Sequence, residues 1–305
     1  KSKPIKGSLV EKYLTVHRGV YKTNNADICY CPSVYSQLNG KHINTPALLA
    51  FTRNERGEIN HIQVTKLDAS TANKNKLFEY PKQTFGKING HAVNLNHKGE
   101  GEITYLTEGV ETGLSILESN PKARVLTVLG KENFAKVNVN QLTNEVVLCV
   151  DNDGKATFKY QNSGSNKILE AIEKLQENGI KINIILPKNK GEDLNDILIK
   201  SGKKALTDAL NKPISPKEYK KLCDKQNDIK PKIKDISDDV KPNMSMQEEG
   251  LKSSIKQNEL MKSSLIERLK TESMSHNIRI THLDIDAIKS QKPPSIPQKE
   301  IEKEL

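Results

Sequence analysis

The chain has 305 residues, 35% hydrophobic and 28% charged, and its 48 Lys and Arg against 38 Asp and Glu leave a formal net charge of +10. Aromatics amount to 4% and Trp is absent, so a core spread over the whole length would be thin. The composition predicts one domain of ordinary density plus an extended polar segment, with two domains as the upper bound. No apolar run approaches the ~20 residues of a membrane-spanning helix, which excludes an integral helical membrane protein.

The first residues, Lys-Ser-Lys-Pro-Ile-Lys, carry no Met and no apolar core behind them, and read as a cut from a longer chain, not a signal peptide. Four cysteines, Cys29, Cys31, Cys149 and Cys223, are too scattered for a disulfide framework and favour a reducing cytoplasm. The single C-x-C of Cys29 and Cys31 is expected to be a plain turn ahead of a zinc site. The seven histidines form no H-x-H or H-E-x-x-H cluster, which argues against catalytic zinc.

In chain order, a helix is expected over residues 8–17. Two alternating runs, 48–53 and 59–67, follow, joined by the turn Asn54-Glu55-Arg56-Gly57 as a β-hairpin. From residue 103 the pattern becomes strand (103–107), helix (110–119), strand (124–129), strand (146–150), helix (165–177), strand (181–186) and helix (194–199). That alternation implies a parallel sheet between helices. The helix over 165–177 puts Ile168, Leu169, Ile172 and Leu175 on one face, and Asn178-Gly179 closes it. Composition shifts near residue 211, where prolines begin to alternate with Lys, Asp, Ser and Gln; 211–305 is expected to be mostly disordered, with 251–269 a short amphipathic helix. The expected organisation is a mixed α+β region at 1–100, an α/β domain at 101–210 and a charged tail at 211–305.

In an open α/β sheet, reactive groups lie at the carboxyl ends of strands, and that is where acidic residues fall. Glu108 directly follows 103–107, Asp151 and Asp153 follow 146–150, and Asp193 and Asp196 follow 182–186. Strands that run straight into carboxylates are costly unless something positive sits there. Residues 151 and 153, two apart in extended backbone, point the same way and can share one hard cation. Oxygen-only donors without His or Cys select Mg²⁺, Mn²⁺ or Ca²⁺, and a Mg²⁺ site of one or two carboxylates with water and phosphate fits. Taken alone, Asp151-Asn152-Asp153-Gly154 is a turn sequence, and Glu108 or Glu111 at a helix entrance is favourable charge on the helix N-terminus. An EF-hand is excluded because Asn162 stands where its last Glu would be.

A Glu-Gly after one strand and an Asp-x-Asp after a later parallel strand resembles the Toprim domains of bacterial-type primases, topoisomerases and certain nucleases. The series Tyr13-Leu14-x-x-His17-Arg18-Gly19, Pro46-Ala47-Leu48-Leu49, Arg53-Asn54-Glu55-Arg56-Gly57, Gly90-His91-Ala92-Val93-Asn94-Leu95, Glu108-Gly109-Val110-Glu111-Thr112, Asp151-Asn152-Asp153 and Asp193-Leu194-Asn195-Asp196 is similar to primase-type Toprim proteins of plasmids, phages and integrative elements, including the C-terminal parts of some conjugative-transfer relaxases. The similarity spans about residues 8–210. It implies a Rossmann-like parallel sheet, with Glu108 as general acid or base and a metal set of Glu108, Asp151, Asp153, Asp193 and Asp196 around Mg²⁺ or Mn²⁺. It implies nucleotidyl transfer on DNA in conjugative transfer or replication, with single-stranded DNA and nucleoside triphosphates as partners and other conjugation or replication proteins engaging the tail. A Toprim nuclease and a non-catalytic DNA-binding module of a conjugation protein are the alternatives. The chain departs from the pattern after Asp153, where the stretch to Gly164 is longer and more polar, so the loop over the acidic site is expected to differ. No zinc ribbon, no paired relaxase histidines and no phosphate loop of an ATP-driven motor occur in the sequence.

The basic balance agrees with a nucleic-acid partner, because a phosphate backbone attracts Lys and Arg without regard to sequence. The expected contacts are Lys66, Lys76, Lys82 and Lys87, with Lys74 beside them and Phe78, Tyr80 and Phe85 interleaved as stacking surfaces. A solvated loop whose aromatics pack the core explains the same pattern.

Overall fold

The computed structural model describes residues 2–23, 26–161 and 166–227, all within one compact unit, Lys1–Lys232. Its first element is α1 (Leu9–Lys12), which runs into a π-helical turn at Tyr13–His17. Ser8 starts it by accepting from the backbone N–H groups of Val10 and Glu11, the usual service of a hydroxyl at a helix entrance. Four antiparallel strands follow in the order β1 (Ile28–Leu38), β2 (Lys41–Arg53), β3 (Ile59–Lys66) and β4 (Lys82–Gly86). Cys29 and Cys31 lie in β1 and pair with Leu49 and Ala47, so the C-x-C is strand, not turn, and all four cysteines are free thiols.

The second sheet has the order β5-β7-β6-β8-β9. Its strands β6 (Ile103–Thr107), β7 (Arg124–Thr127), β8 (Glu145–Cys149) and β9 (Lys181–Ile185) are parallel, and β5 (Val93–Asn94) adds an antiparallel edge. Helices α2 (Val110–Ser119) and α5 (Leu194–Leu210) cover one face through Leu114, Leu198 and Leu206. The other face is covered by α4 (Lys167–Glu177) and α6 (Pro216–Asn227), through Ile168, Ile172, Leu175, Tyr219 and Cys223. The first cluster also takes in Val10, Leu14, Leu48 and Ala50, so α1 and the antiparallel sheet share a core with α2. A one-turn helix, α3 (Lys155–Phe158), sits in the loop after β8.

The sheet and helices expected from residue 103 onward are present, and Asn178 with Gly179 at φ +76° ends α4. Two differences stand out. Helix α5 runs on to Leu210 across a non-helical Gly202. The folded chain also continues past residue 211: Ile214 bridges to Ile184 at the sheet edge, and α6 buries Tyr219 and Cys223. The expected disorder and the 251–269 helix beyond residue 227 lie outside the described residues. Among the described residues no helix is long and apolar enough to cross a membrane.

One close approach sets the site in place. A Cβ on Gly113 would collide with Leu95 and stand 2.9 Å from the Thr107 and Thr127 hydroxyls, so α2 rests directly on β6 and β7. Gly113→Ala is expected to destabilise the protein by about 1–3 kcal/mol, as overpacking does. A lowered urea midpoint at unchanged slope would show it; an unchanged midpoint would mean that α2 sits further from the sheet.

Candidate active site

The parallel order reverses at β6, whose neighbours β7 and β8 are reached by connections running in opposite directions. Ligands of open α/β sheets bind at such a switch point, outside the carboxyl ends of the strands. Thr107 pairs with Cys149 at the end of the β6–β8 ladder, so Glu108 and Asp151 emerge from adjacent strands on that edge. Glu108 precedes Gly109, the N-cap of α2. The backbone carbonyl of Asp151 accepts from the Thr157 hydroxyl at 2.9 Å, which in turn accepts from the Asp153 N–H at 2.7 Å. Gly154 takes φ +68°, which a Cβ would resist, to turn the chain into α3. The third strand end supplies a cation: after β7, Leu129 and Gly130 take φ of +61° and +136°, and Lys131 pairs with Asp153 at 2.7 Å.

Glu108 Oε2 and Asp151 Oδ1 are buried and have no hydrogen-bond partner among the described residues. Such orphaned oxygens are costly unless something fills the space between them. Burial pushes the Glu108 carboxyl above the usual range, with Lys131 opposing and Asp153 adding to it. The Asp151 carboxyl is pushed up to about 8, by burial first and then by the charges of Glu108, Asp193 and Asp153. Neighbouring carboxylates that raise one another in this way suit a positively charged group.

The five carboxylates expected around one metal do not converge. Among the described residues no group of three or more His, Cys, Asp and Glu is placed to hold an ion. Asp153 is half exposed and turned to Lys131. Asp193 and Asp196 form a reciprocal capping box on α5: Asp193 accepts from the Asp196 N–H at 2.8 Å, and Asp196 accepts from the Asp193 N–H at 3.1 Å. One oxygen of each is engaged in starting the helix. Asp193 remains close enough to raise Asp151, and burial raises its own carboxyl as well. Two carboxylates with one unpartnered oxygen each suit Mg²⁺, which keeps several waters and needs only one or two protein oxygens beside substrate phosphate.

Beside this pair lies a buried charge cluster that sequence reasoning did not assemble. Glu111, in the first turn of α2, takes a hydrogen bond from the Tyr13 hydroxyl at 2.8 Å and ion pairs from Lys74 at 2.9 Å and Lys82 at 3.1 Å. Burial alone would raise its carboxyl, but Lys82 and Lys74 outweigh burial and hold it well below the usual carboxylate range. Arg18 donates to Tyr13 at 3.0 Å and lies over its ring. Asn195 in turn donates to the Arg18 carbonyl at 2.7 Å and to the Ser115 hydroxyl at 2.8 Å. The cluster ties the Tyr13–Gly19 motif and the antiparallel sheet to the helix that presents Glu108.

The expected nucleic-acid lysines divide. Lys66 is 1% exposed, with its ammonium 4.0 Å from the centre of the Phe78 ring, so it is a buried cation–π pair and not a surface contact for phosphate. Burial pulls its ammonium down. Lys82 is occupied by Glu111. Lys76 and Lys87 are exposed, as are Tyr80 and Phe85, while Phe78 is buried.

Residues 103–204 match a family model described as the Toprim domain. The chain contains a Toprim domain. Its β6 to α5 segment carries Glu108, Lys131, Asp151 and Asp153 at the strand ends described above. Residues 1–95 match a second family, a domain of unknown function (DUF7146). No curated protein matches the chain. Solved structures similar to it include the primase fragment of the bacteriophage T7 primase-helicase protein, at 16% identity and TM-score 0.41 over 64% of this chain and 72% of that one. A DNA primase domain from Pseudomonas aeruginosa is 13% identical, at TM-score 0.43 over 68% and 74% of the two chains. The RNA polymerase domain of Mycobacterium tuberculosis primase DnaG, in complex with a double-stranded DNA oligomer with a 6-nucleotide overhang, is 14% identical, at TM-score 0.44 over 71% and 77%.

Proposed function

We propose that this chain carries out Mg²⁺-dependent nucleotidyl transfer on DNA, in the manner of a primase. Primer synthesis during conjugative transfer or replication of a mobile element is the context that its sequence series suggests. The observation that carries the reading is the pair of buried, unpartnered oxygens of Glu108 and Asp151 at adjacent strand ends of the Toprim domain. Glu108 and Asp151 would hold the ion, with Asp153 and Asp193 beside them, and the ion when bound would neutralise charge on the reacting phosphate.

The protein's own groups supply the remainder. Glu108, at the strand end beside the reacting group, is suited to take or return the proton of the attacking or leaving hydroxyl. Lys131, paired with Asp153, places one cation beside the reacting group and limits the repulsion among the carboxylates. The capping box keeps Asp193 and Asp196 fixed at the start of α5. Exposed Lys76 and Lys87, with Tyr80 and Phe85, offer charge and stacking to a single strand. Domain limits of 1–100 and 101–210, the second extended by α6 to residue 227, a cytoplasmic setting, and partner proteins for the remaining tail complete the proposal.

The test is incorporation of labelled nucleoside triphosphates on a single-stranded DNA template, titrated with Mg²⁺ or Mn²⁺. Products that lengthen only with metal and nucleotide are expected. Shortening of the template in place of growth would assign the site to a nuclease. No metal-dependent product, with retained DNA binding, would leave a binding module.

A further inference from the structure

Strands β1 and β2 are the longest of the antiparallel sheet, and β3 pairs with β2 only from Ala47 onward. Their far ends, paired without a break from Val34 and Thr45 to Leu38 and Lys41, project past the sheet as a two-stranded ribbon. At the usual rise of a strand it is about 20 Å long. Asn39 and Gly40, at φ +49° and +74°, close it in a two-residue turn.

Alternation along the strands assigns each side chain to a face. Tyr35 and Gln37 share one face with Asn44 and His42, and all four are exposed. On that face the Tyr35 and His42 rings stack, with centroids 4.6 Å apart and planes at 21°. The opposite face, of Val34, Ser36, Ile43 and Thr45, is buried or half-buried. Followed down β2, the face of His42 and Asn44 is that of Leu48, which pairs with Thr65 and through it with Lys82. Leu48 belongs to the core shared with α2, and Lys82 holds Glu111 in the first turn of that helix. The stack therefore stands on the side of the sheet that meets the helix presenting Glu108. Phe85 does not: its row, with Ile62 and Phe51, lies on the other side.

We propose that this ribbon face docks single-stranded DNA, with a base on the Tyr35–His42 stack, the amides of Gln37 and Asn44 at base edges and Lys41 near the phosphates. Single exposed aromatics call for no partner, but two rings held in a stack offer a flat surface of the kind an unpaired base covers. The charges agree: β1 and β2 contain no Asp or Glu, and their charged residues are Lys41 and Arg53, so no carboxylate of the ribbon repels a phosphate. A duplex already stacks its bases on one another, and the centre of a protein interface calls for apolar anchors where this face has amides. The choice of DNA rests on the nucleotidyl-transfer reading, while docking itself requires neither metal nor turnover.

The test is fluorescence anisotropy of the full chain with a labelled single-stranded oligonucleotide in chelator, so that an inactive protein still reports. Tyr35→Ala/His42→Ala, at exposed positions, is expected to weaken binding about 10-fold or more, the scale of lost base stacking, at an unchanged melting temperature. Tyr35→Phe/His42→Phe keeps both rings and should bind as the parent does. Unchanged affinity in the alanine variant, or a parent that binds no single strand, would overturn the docking surface. An equal loss on a fully paired duplex would overturn the single-strand assignment. Ring-dependent binding by a protein without turnover would keep the ribbon and sink the catalytic reading; primer synthesis by an alanine variant of parental affinity would do the reverse.

Discussion

Glu111→Ala is expected to lower the unfolding free energy by about 3–5 kcal/mol, the usual cost of breaking a buried ion pair from one side. Glu111 is 4% exposed and is the common partner of Tyr13, Lys74 and Lys82. Its removal leaves two ammonium groups and a phenol facing one another without an acceptor. Burial already pulls the Lys74 ammonium down even with Glu111 beside it, so Lys74 would tend to shed its proton in the variant. Urea unfolding measures the loss. Glu111→Gln keeps the shape and one acceptor, and should lose less. A loss under about 1 kcal/mol in the alanine variant would mean that the cluster is solvated and does not join the antiparallel sheet to α2.

Asp151→Asn should do the opposite in metal-free protein, stabilising it by an amount that grows with pH. An unfolded Asp titrates near 3.9, whereas the folded Asp151 carboxyl is pushed up to about 8 by burial and then by Glu108. Below about pH 4 both states are protonated and Asp151 contributes no difference. Between about pH 4 and 8 the unfolded chain has released a proton that the folded chain still holds, so folding stability falls as pH rises. Above about 8 the penalty is complete. Asn carries no such proton, so the variant's advantage opens through that window to about 1–3 kcal/mol, the scale of an unsatisfied buried polar group. Melting temperatures in chelator from pH 4 to 9 measure it, and parallel curves for the two proteins would contradict the burial of this carboxylate.

The parallel sheet was legible because each strand there is a short apolar run bounded by a helix with its own period, as in 146–150 followed by Ile168, Ile172 and Leu175. The edges of the molecule were not. Strand β1 contains Pro32 and a register break between Cys31 and Val34, which hides its alternation, and β4 is an exposed edge of Lys, Gln, Thr, Phe and Gly. Helix α6 buries only Tyr219 and Cys223, too few to register as a stripe among its lysines. The strand-end carboxylates could be found because their signal is local. The Glu111 cluster could not, since Tyr13 is 98 residues away and Lys82 is 29; only folding brings them together. Lys131 left a trace, a Gly-Lys just past a parallel strand, which is where such folds keep their reactive groups. Lys66 misled because a lysine beside aromatics reads equally as a nucleic-acid contact and as a cation over a buried ring.

The most direct measurement is binding of Mn²⁺ to the metal-free protein, followed by electron paramagnetic resonance, in parent, Glu108→Gln and Asp151→Asn forms. If the two carboxylates hold one ion between them, each variant weakens a single site at least 10-fold. Parent-like Mn²⁺ affinity in either variant would separate the two oxygens and remove the basis for metal-assisted transfer at this edge of the sheet.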